Sequence, residues 1–115
     1  MSWDEAGVGQ EQVDYTLSAS DRTNGYAGDT LLVNGALAPV WQAPRQWVRF
    51  RLLNGCNART LVLRLGNSLT MLQVANEAGL LAVPVARPSV ALWPGERAEV
   101  LVDFSAMPVG QEVPL

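Results

Sequence analysis

The residues best suited to metal chemistry in this 115-residue sequence are a cysteine and two internal methionines, because the chain contains no histidine. Cys56 supplies a thiol, and Met71 and Met107 supply thioether sulfur. A thiolate and a thioether are soft ligands of the kind that binds Cu(I). The alternative, which we favour, is that Cys56 is a small, half-buried residue at a turn. A single cysteine forms no disulfide within the chain and does not reveal the redox compartment.

Other catalytic arrangements have little support in the sequence. A nucleophile needs a neighbouring base, and the chain has neither histidine nor lysine. The carboxylates of Asp29, Glu77 and Glu99 show no spacing that marks an acid–base pair. Gly7-Val8-Gly9 lacks the strand–helix context of a phosphate-binding loop, which indicates a linker. The sequence therefore predicts no catalytic residue, no cofactor-binding residue and no metal ligand in this chain.

The charge pattern argues against a nucleic-acid partner. The net charge is −3, and every basic residue is an arginine. A cluster of arginines can bind a phosphate backbone, but alternating arginines in strand-like sequence are typical of a solvated or ion-paired face. We therefore expect no nucleic-acid binding by the five clustered residues, which are Arg45, Arg49, Arg51, Arg59 and Arg64.

Composition predicts one folded domain and no membrane segment. Hydrophobic residues make up 49% of the chain and charged residues 17%, so intrinsic disorder is not expected. The apolar runs are far shorter than the ~20 residues that span a bilayer. Residues 1–5 have neither the basic nor the apolar region of a signal peptide, so an export signal of any parent protein is expected outside this chain.

The elements that must position these residues are short strands. Period-2 alternation of apolar and polar residues predicts them, and no stretch shows helical periodicity. Residues 80–92 contain Pro84 and Pro88 and are interpreted as two edge pieces with a bend. The other predicted strands cover residues 13–17, 30–33, 47–53, 61–65, 70–75 and 98–104. Short strands separated by Gly, Pro and Asn turns predict an all-β sandwich or barrel.

Three turns are predicted from their residue types. Asn34-Gly35 and Asn54-Gly55 are expected to adopt positive φ between strands, and Pro94-Gly95 is expected to form a tight turn. Residues 21–25 are also interpreted as a turn, and residues 36–45 as a loop.

Ion pairs are predicted where arginines share a strand face. Arg49 and Arg51 lie on one side of the strand over residues 47–53, where carboxylates such as Glu99 or Asp103 are suitable partners. Glu96-Arg97 follows the Pro94 turn and is expected to tie that hairpin to a neighbouring segment.

Three segments together resemble the second, copper-free cupredoxin domain of multicopper oxidases, in particular the bacterial cuprous oxidases of the copper-efflux type. They are GDTLLVNG at residues 28–35, WVRFRLLNGCNAR at residues 47–59 and PGERAEVLVD at residues 94–103. Their order and spacing also fit, and the resemblance covers about residues 11–110. The motif residues are Gly28, Asp29, Asn34, Gly35, Arg49, Arg51, Asn54, Gly55, Arg59, Pro94, Gly95, Glu96 and Arg97.

The resemblance implies a cupredoxin-like Greek-key β-sandwich. It assigns residues 12–110 to the domain, residues 1–11 to a flexible lead-in and residues 111–115 to a tail. Because the family's middle domain has further strands at both ends, we expect one or more terminal strands to be missing. An exposed strand edge would then allow a homodimer to form.

The resemblance also implies a function for a parent protein. The family couples substrate oxidation at a type 1 copper to reduction of dioxygen to water at a trinuclear cluster, and both sites need histidine. Copper is therefore expected in flanking cupredoxin domains and not in this chain. The chain would be a non-catalytic scaffold domain of a periplasmic or secreted oxidase, with Trp3, Trp41 and Trp93 either docking those domains or filling the core. The alternative is a copper-free protein-interaction module like the division-associated relative of the family.

Overall fold

The structure is a computed structural model that describes residues 2–4, 10–12, 18–25 and 28–115. These residues form ten β-strands and one α-helix. In chain order, they are β1 (Ser2–Asp4), β2 (Gln10–Gln12), α1 (Ala19–Asn24), β3 (Leu32–Val33), β4 (Ala36–Leu37), β5 (Trp47–Leu53), β6 (Leu61–Leu63), β7 (Met71–Asn76), β8 (Gly79–Arg87), β9 (Val90–Leu92) and β10 (Arg97–Asp103).

The largest sheet has four antiparallel strands in the order β5-β10-β7-β8. Its edge strand β5 stays in unbroken register with β10, from Trp47 opposite Asp103 to Leu53 opposite Arg97. Three two-stranded sheets, β1–β2, β3–β4 and β6–β9, complete the described strands. This nearly all-β architecture confirms the predicted fold class at the level of secondary structure.

The core forms where the apolar face of β5 meets that of β10. Side chains alternate between the two faces of a strand, so Phe50 and its neighbours at 48 and 52 lie on the same face of the sheet as Val100, the register partner of Phe50. Val100 and Val102 are almost completely buried. The buried cluster consists of Met71, Val90, Leu92, Ala98, Val100, Val102 and Phe104. The β6–β9 sheet contributes to it through Val90 and Leu92, so the core joins both sheets.

β8 lies at one edge of the four-stranded sheet, as Pro84 predicts. Pro84 cannot donate a backbone hydrogen bond, and an edge strand tolerates this loss. The pairing of β8 with β7 shifts register between Gln73 and Ala75. The predicted pair of edge pieces is thus one strand of nine residues followed by the short β9.

The interpretation of residues 21–25 as a turn is wrong, because residues 19–24 form α1. The helix begins with the Arg22 amide donating to the Ser18 carbonyl at 3.1 Å. It ends at Gly25, whose φ of 82° is the left-handed conformation that terminates helices. No described helix is long and apolar enough to span a membrane.

Three further predictions differ from the structure or fall outside it. The predicted lead-in over residues 1–11 contains β1 and part of β2, which pair antiparallel. The predicted loop at residues 36–45 begins with β4, which pairs with β3. The predicted strand over residues 13–17 lies outside the described residues. The domain boundaries stay a prediction.

The C-terminal segment contacts the turn that follows β6. The Gly66 amide donates to the Pro114 carbonyl at 2.8 Å, and the Asn67 side chain donates to the Glu112 carbonyl at 2.9 Å. A Cβ at Gly66 would lie 2.6 Å from the Pro114 ring. The predicted tail over residues 111–115 is therefore bound to the domain through these contacts.

Candidate functional site

The side chain of Asn54 joins three segments of the domain. It is fully buried (0% exposed) and follows β5 directly. Its Nδ2 donates to the carbonyls of Arg59 at 2.7 Å and Leu92 at 2.8 Å. Its Oδ1 accepts the Cys56 amide at 2.9 Å. One amide side chain therefore satisfies backbone groups of the loop after β5 and of β9.

The backbone of Asn54 binds the turn between β9 and β10. Its amide donates to the Glu96 carbonyl at 3.1 Å, and its carbonyl accepts the Gly95 amide at 2.8 Å. That turn is closed by the Glu96 amide, which donates to the Trp93 carbonyl at 2.9 Å. With Pro94 second and Gly95 third at φ 79°, it has the features of a type II turn. The second and third motifs thus meet at Asn54.

The prediction of positive φ holds for one Asn-Gly pair and fails for the other. Asn34 and Gly35 have φ of 50° and 80°, as a tight hairpin between β3 and β4 requires. Neither Asn54 nor Gly55 is among the residues with positive φ. Asn54 is used instead for its side-chain amide, which no turn propensity predicts.

Arg59 connects the first motif to the second. Its guanidinium donates to the Gly28 carbonyl at 2.7 Å, and the hydroxyl of Thr30 donates to the Asp29 carboxylate at 3.0 Å. An open cleft of about 410 Å³ lies between these segments. Its lining includes Gly28, Asp29, Gly55, Cys56 and Arg59.

β5 presents an outer face made of Trp47, Arg49, Arg51 and Leu53, all of them exposed. The Glu99 carboxylate of β10 binds both arginines of this face: Arg49 Nη2 donates to it, and Arg51 Nε lies 3.2 Å from Oε1. The hydrogen bond from Arg49, together with both positive charges, lowers the pKa of Glu99 below its ordinary value.

Asp103, the other carboxylate considered for these arginines, has a different partner. It accepts the Ser105 amide at 2.9 Å, and hydrogen bonds from Ser105 lower the pKa of Asp103. The Asp103 side chain therefore binds the backbone directly after β10, of which Asp103 is the last residue. The sequence alone does not distinguish Asp103 from Glu99 as the partner of the arginines.

Arg97 binds the β7–β8 turn through Glu77. Arg97 Nε lies 3.2 Å and 3.3 Å from the two carboxylate oxygens of Glu77, and the Arg97 amide also donates to that carboxylate. These hydrogen bonds lower the pKa of Glu77 and raise the pKa of Arg97. Glu77 is a contact residue that sequence reasoning did not pair with Arg97, because the two lie 20 residues apart across separate turns.

The sulfur atoms of the chain do not fit a copper site. A type 1 centre takes two histidines and a thiolate, and the sequence has no histidine. Met71 is 1% exposed in the core, and Met107 packs against the same core. Among the described residues, no group of three or more His, Cys, Asp or Glu side chains is placed to hold a metal ion. We therefore derive no copper chemistry in this chain.

Two of the three tryptophans considered for docking can be placed, and both are exposed. Trp41 is 59% exposed and Trp93 is 67% exposed, although Trp41 also makes an edge-on contact with Phe50 at 5.8 Å between ring centroids. The side chain of Trp3 lies outside the described residues.

Comparison with solved structures identifies the class of fold. A laccase-like multicopper oxidase, CueO, from Ochrobactrum sp. matches with a TM-score of 0.76 and 34% identity, over 87% of this chain and 25% of that one. The multicopper oxidase McoA from Aquifex aeolicus matches with a TM-score of 0.76 and 39% identity, over 80% of this chain and 21% of that one. This chain has the fold of a cupredoxin domain.

Comparison with curated proteins finds relatives that are cell division proteins. The cell division protein FtsP from Dickeya dadantii is 49% identical over 83 residues, which are 72% of this chain and 18% of that protein. No family model matches the sequence. The chain spans about a fifth of the length of the curated relatives it matches. Together with the three motifs and the structural matches, this likeness shows a cupredoxin domain of the kind found in multicopper oxidases.

Proposed function

We propose that this chain is a non-catalytic scaffold domain of a larger bacterial protein, and that it holds flanking cupredoxin domains at a fixed separation. The observation that carries the proposal is the set of contacts that the motif residues make within the domain. Asn54, Arg59 and Arg97 bind backbone groups or carboxylates of the domain itself. Such contacts fix the relative positions of loops and strands, which supports a scaffold role for the motif residues.

The exposed tryptophans support the docking part of this proposal. Trp41 lies in the loop before β5, and Trp93 lies between β9 and β10. Interfaces are enriched in exposed aromatic side chains. A rigid domain with apolar side chains on its surface is suited to hold neighbours in a defined geometry.

Metal analysis of the purified 115-residue chain tests the absence of a copper site. We expect far less than one copper per chain after incubation with Cu(I) or Cu(II) and gel filtration, measured by elemental analysis. The Cys56→Ser variant is the matched control. Stoichiometric copper that disappears in Cys56→Ser would establish a metal site and overturn the proposal.

A second candidate for the parent is favoured by the curated relatives, which are named cell division protein FtsP at 43–49% identity. In this case the parent is a copper-free protein that works by contact with other proteins. The domain itself keeps the same architectural role, because its motif contacts do not depend on metal.

Purification of the longer protein from its natural gene distinguishes the two parents. Stoichiometric copper together with dioxygen consumption supports an oxidase, with the copper in the flanking domains. A folded protein without either supports the division-type protein. We also infer an extracytoplasmic location from the resemblance, and cell fractionation against a periplasmic marker enzyme tests it.

A further inference from the structure

The segment after β10 is irregular, and the domain nevertheless holds it in place. Residues 104–115, which we call the connector, follow β10 directly. Phe104 is 8% exposed in the core, and Met107 packs against the same core. The Met107 amide donates to the Phe104 carbonyl at 3.1 Å. The Gln111 amide donates to the Pro108 carbonyl at 3.3 Å. Core packing and two turns therefore fix the first half of the connector.

The second half of the connector contacts the turn between β6 and β7. This turn covers residues 66–69, and the Leu69 amide closes it by donating to the Gly66 carbonyl at 3.2 Å. Its middle residues, Asn67 and Ser68, have φ of 57° and 58°, and type I′ turns require positive φ at both positions. Asparagine adopts positive φ more readily than serine does. Such strain persists where the surrounding structure holds it in place.

The β6–β7 turn binds backbone groups of the connector. The Gly66 amide donates to the Pro114 carbonyl at 2.8 Å, and Asn67 Nδ2 donates to the Glu112 carbonyl at 2.9 Å. Both acceptors are main-chain atoms, so these contacts set the path of the chain. The approach is close, because a Cβ at Gly66 would lie 2.6 Å from the Pro114 ring. Gly66 is not among the residues with positive φ, so a glycine is needed here for space.

We propose that the β6–β7 turn fixes the direction in which the polypeptide leaves this domain, and that Gly66 and Asn67 thereby position a flanking domain attached through the connector. The inference rests on the proposed function, since it requires a longer protein. The relatives have the necessary length, because the matched region is 18% of one division protein and 25% of one oxidase.

The geometry of the two contacts is suited to this role. They hold different residues of the connector, Glu112 and Pro114, so the segment is fixed in direction as well as in position. The proline ring also locks its own φ near −65°, which limits the path of the following chain. Domains joined by a flexible linker move relative to one another unless a large interface prevents it. A bound connector removes this freedom at its origin.

Two alanine variants of the longer protein test the contact itself by hydrogen exchange. Gly66→Ala brings a methyl group against the Pro114 ring and should release the connector. The amide at position 66 should then exchange on the order of tenfold faster or more, while the amide of Val100 in the core stays protected. Gly55→Ala is the matched control, because its added Cβ meets no atom within 4 Å. It should leave exchange at position 66 unchanged.

The distance between two spin labels in the longer protein tests the positioning. One label replaces the exposed Ala78 in the turn between β7 and β8, and the other lies in the domain attached through the connector. Both are introduced as non-natural amino acids, so Cys56 stays unlabelled. The native protein should give a narrow distance distribution. Gly66→Ala should broaden it at least about twofold, as a free linker does, and Gly55→Ala should leave it narrow.

A second pair of variants separates the side-chain contact from the conformation of the turn. Asn67→Gly keeps a residue that accepts positive φ and removes the donor to the Glu112 carbonyl. It should broaden the distance distribution, though less than Gly66→Ala does. Ser68→Gly relieves the positive φ and leaves both contacts with the connector in place. It should keep the distribution as narrow as in the native protein.

The outcomes distinguish this inference from the proposed function. A distribution that stays narrow in Gly66→Ala, although the amide at position 66 exchanges fast, overturns the inference and leaves the scaffold role standing. Unchanged exchange at position 66 in that variant overturns it as well, because the close approach of Pro114 would then not hold the connector. A broad distribution in the native protein overturns the scaffold role and the inference together. A natural gene that ends at Leu115 leaves no domain to position and overturns the inference.

Discussion

The buried amide of Asn54 makes a clear prediction at the scale of the single residue. Asn54→Ala removes the partners of the Leu92 and Arg59 carbonyls and of the Cys56 amide. Each unsatisfied buried polar group costs about 1–3 kcal/mol, so the free energy of unfolding should fall by about 2–4 kcal/mol. Urea unfolding followed by tryptophan fluorescence measures it.

The control for this substitution is Asn57→Ala, which removes an exposed asparagine from the same loop. It should change the free energy of unfolding by less than about 0.5 kcal/mol. Equal losses in the two variants would show that the side-chain network of Asn54 does not stabilise the domain.

The carboxylates beside arginines predict how stability depends on pH. The folded state lowers the pKa of Glu99 and Glu77 below the ordinary value of 4.5. A lowered folded pKa stabilises the fold above the unfolded pKa, and the contribution is lost as pH falls through the folded pKa. The thermal midpoint should therefore drop as pH is lowered from 5 towards 2. Glu99→Gln should flatten this dependence, and Glu112→Gln serves as the exposed control.

At the scale of the element, the turn between β9 and β10 contains a glycine whose backbone conformation differs from that of Gly55, although both glycines are predicted as turn residues from the sequence. Gly95 has φ 79°, which strains any residue with a Cβ, whereas Gly55 is not among the residues with positive φ. An added Cβ meets no atom within 4 Å at either position. Gly95→Ala should therefore destabilise the domain by about 1–2 kcal/mol.

Gly55→Ala is the matched variant, with the same added methyl group and no conformational strain. It should be neutral or stabilise by up to about 1 kcal/mol, through a less flexible unfolded chain. Thermal unfolding of both variants measures the difference. Equal losses of stability in the two variants would show that the positive φ at position 95 is not the cause of the destabilisation.

The strands that the sequence predicted well are those with one buried face. β5 was predicted with its observed bounds, because Phe50 and its apolar neighbours alternate with Arg49 and Arg51 and the core lies on one side only. The six residues of α1 are too few to show helical periodicity. The sequence therefore predicts a turn over residues 21–25, where the structure has a short helix that ends at Gly25.

The contacts of the candidate site were harder to predict, because they depend on register and on distant segments. Arg51 meets Glu99 because the register of β5 and β10 places them opposite each other, whereas alternation alone leaves Glu99 and Asp103 as equal candidates. The partner of Asn54, by contrast, is the carbonyl of Leu92, 38 residues away. No local pattern marks such a contact, so Asn54 was interpreted as an ordinary turn residue.

At the scale of the whole molecule, Trp93 reports whether the domain docks against the rest of a longer protein. It is 67% exposed here, and its neighbourhood is fixed by the type II turn that its carbonyl closes. With Trp3, Trp41 and Trp47 replaced by Phe, acrylamide should quench Trp93 efficiently in the isolated chain. In the longer protein, quenching should fall several-fold if a flanking domain covers this surface. The single-tryptophan variant that keeps Trp41 tests the loop before β5 in the same way. Equal quenching of Trp93 in the two proteins would place it on open surface and remove this turn from the proposed docking surface.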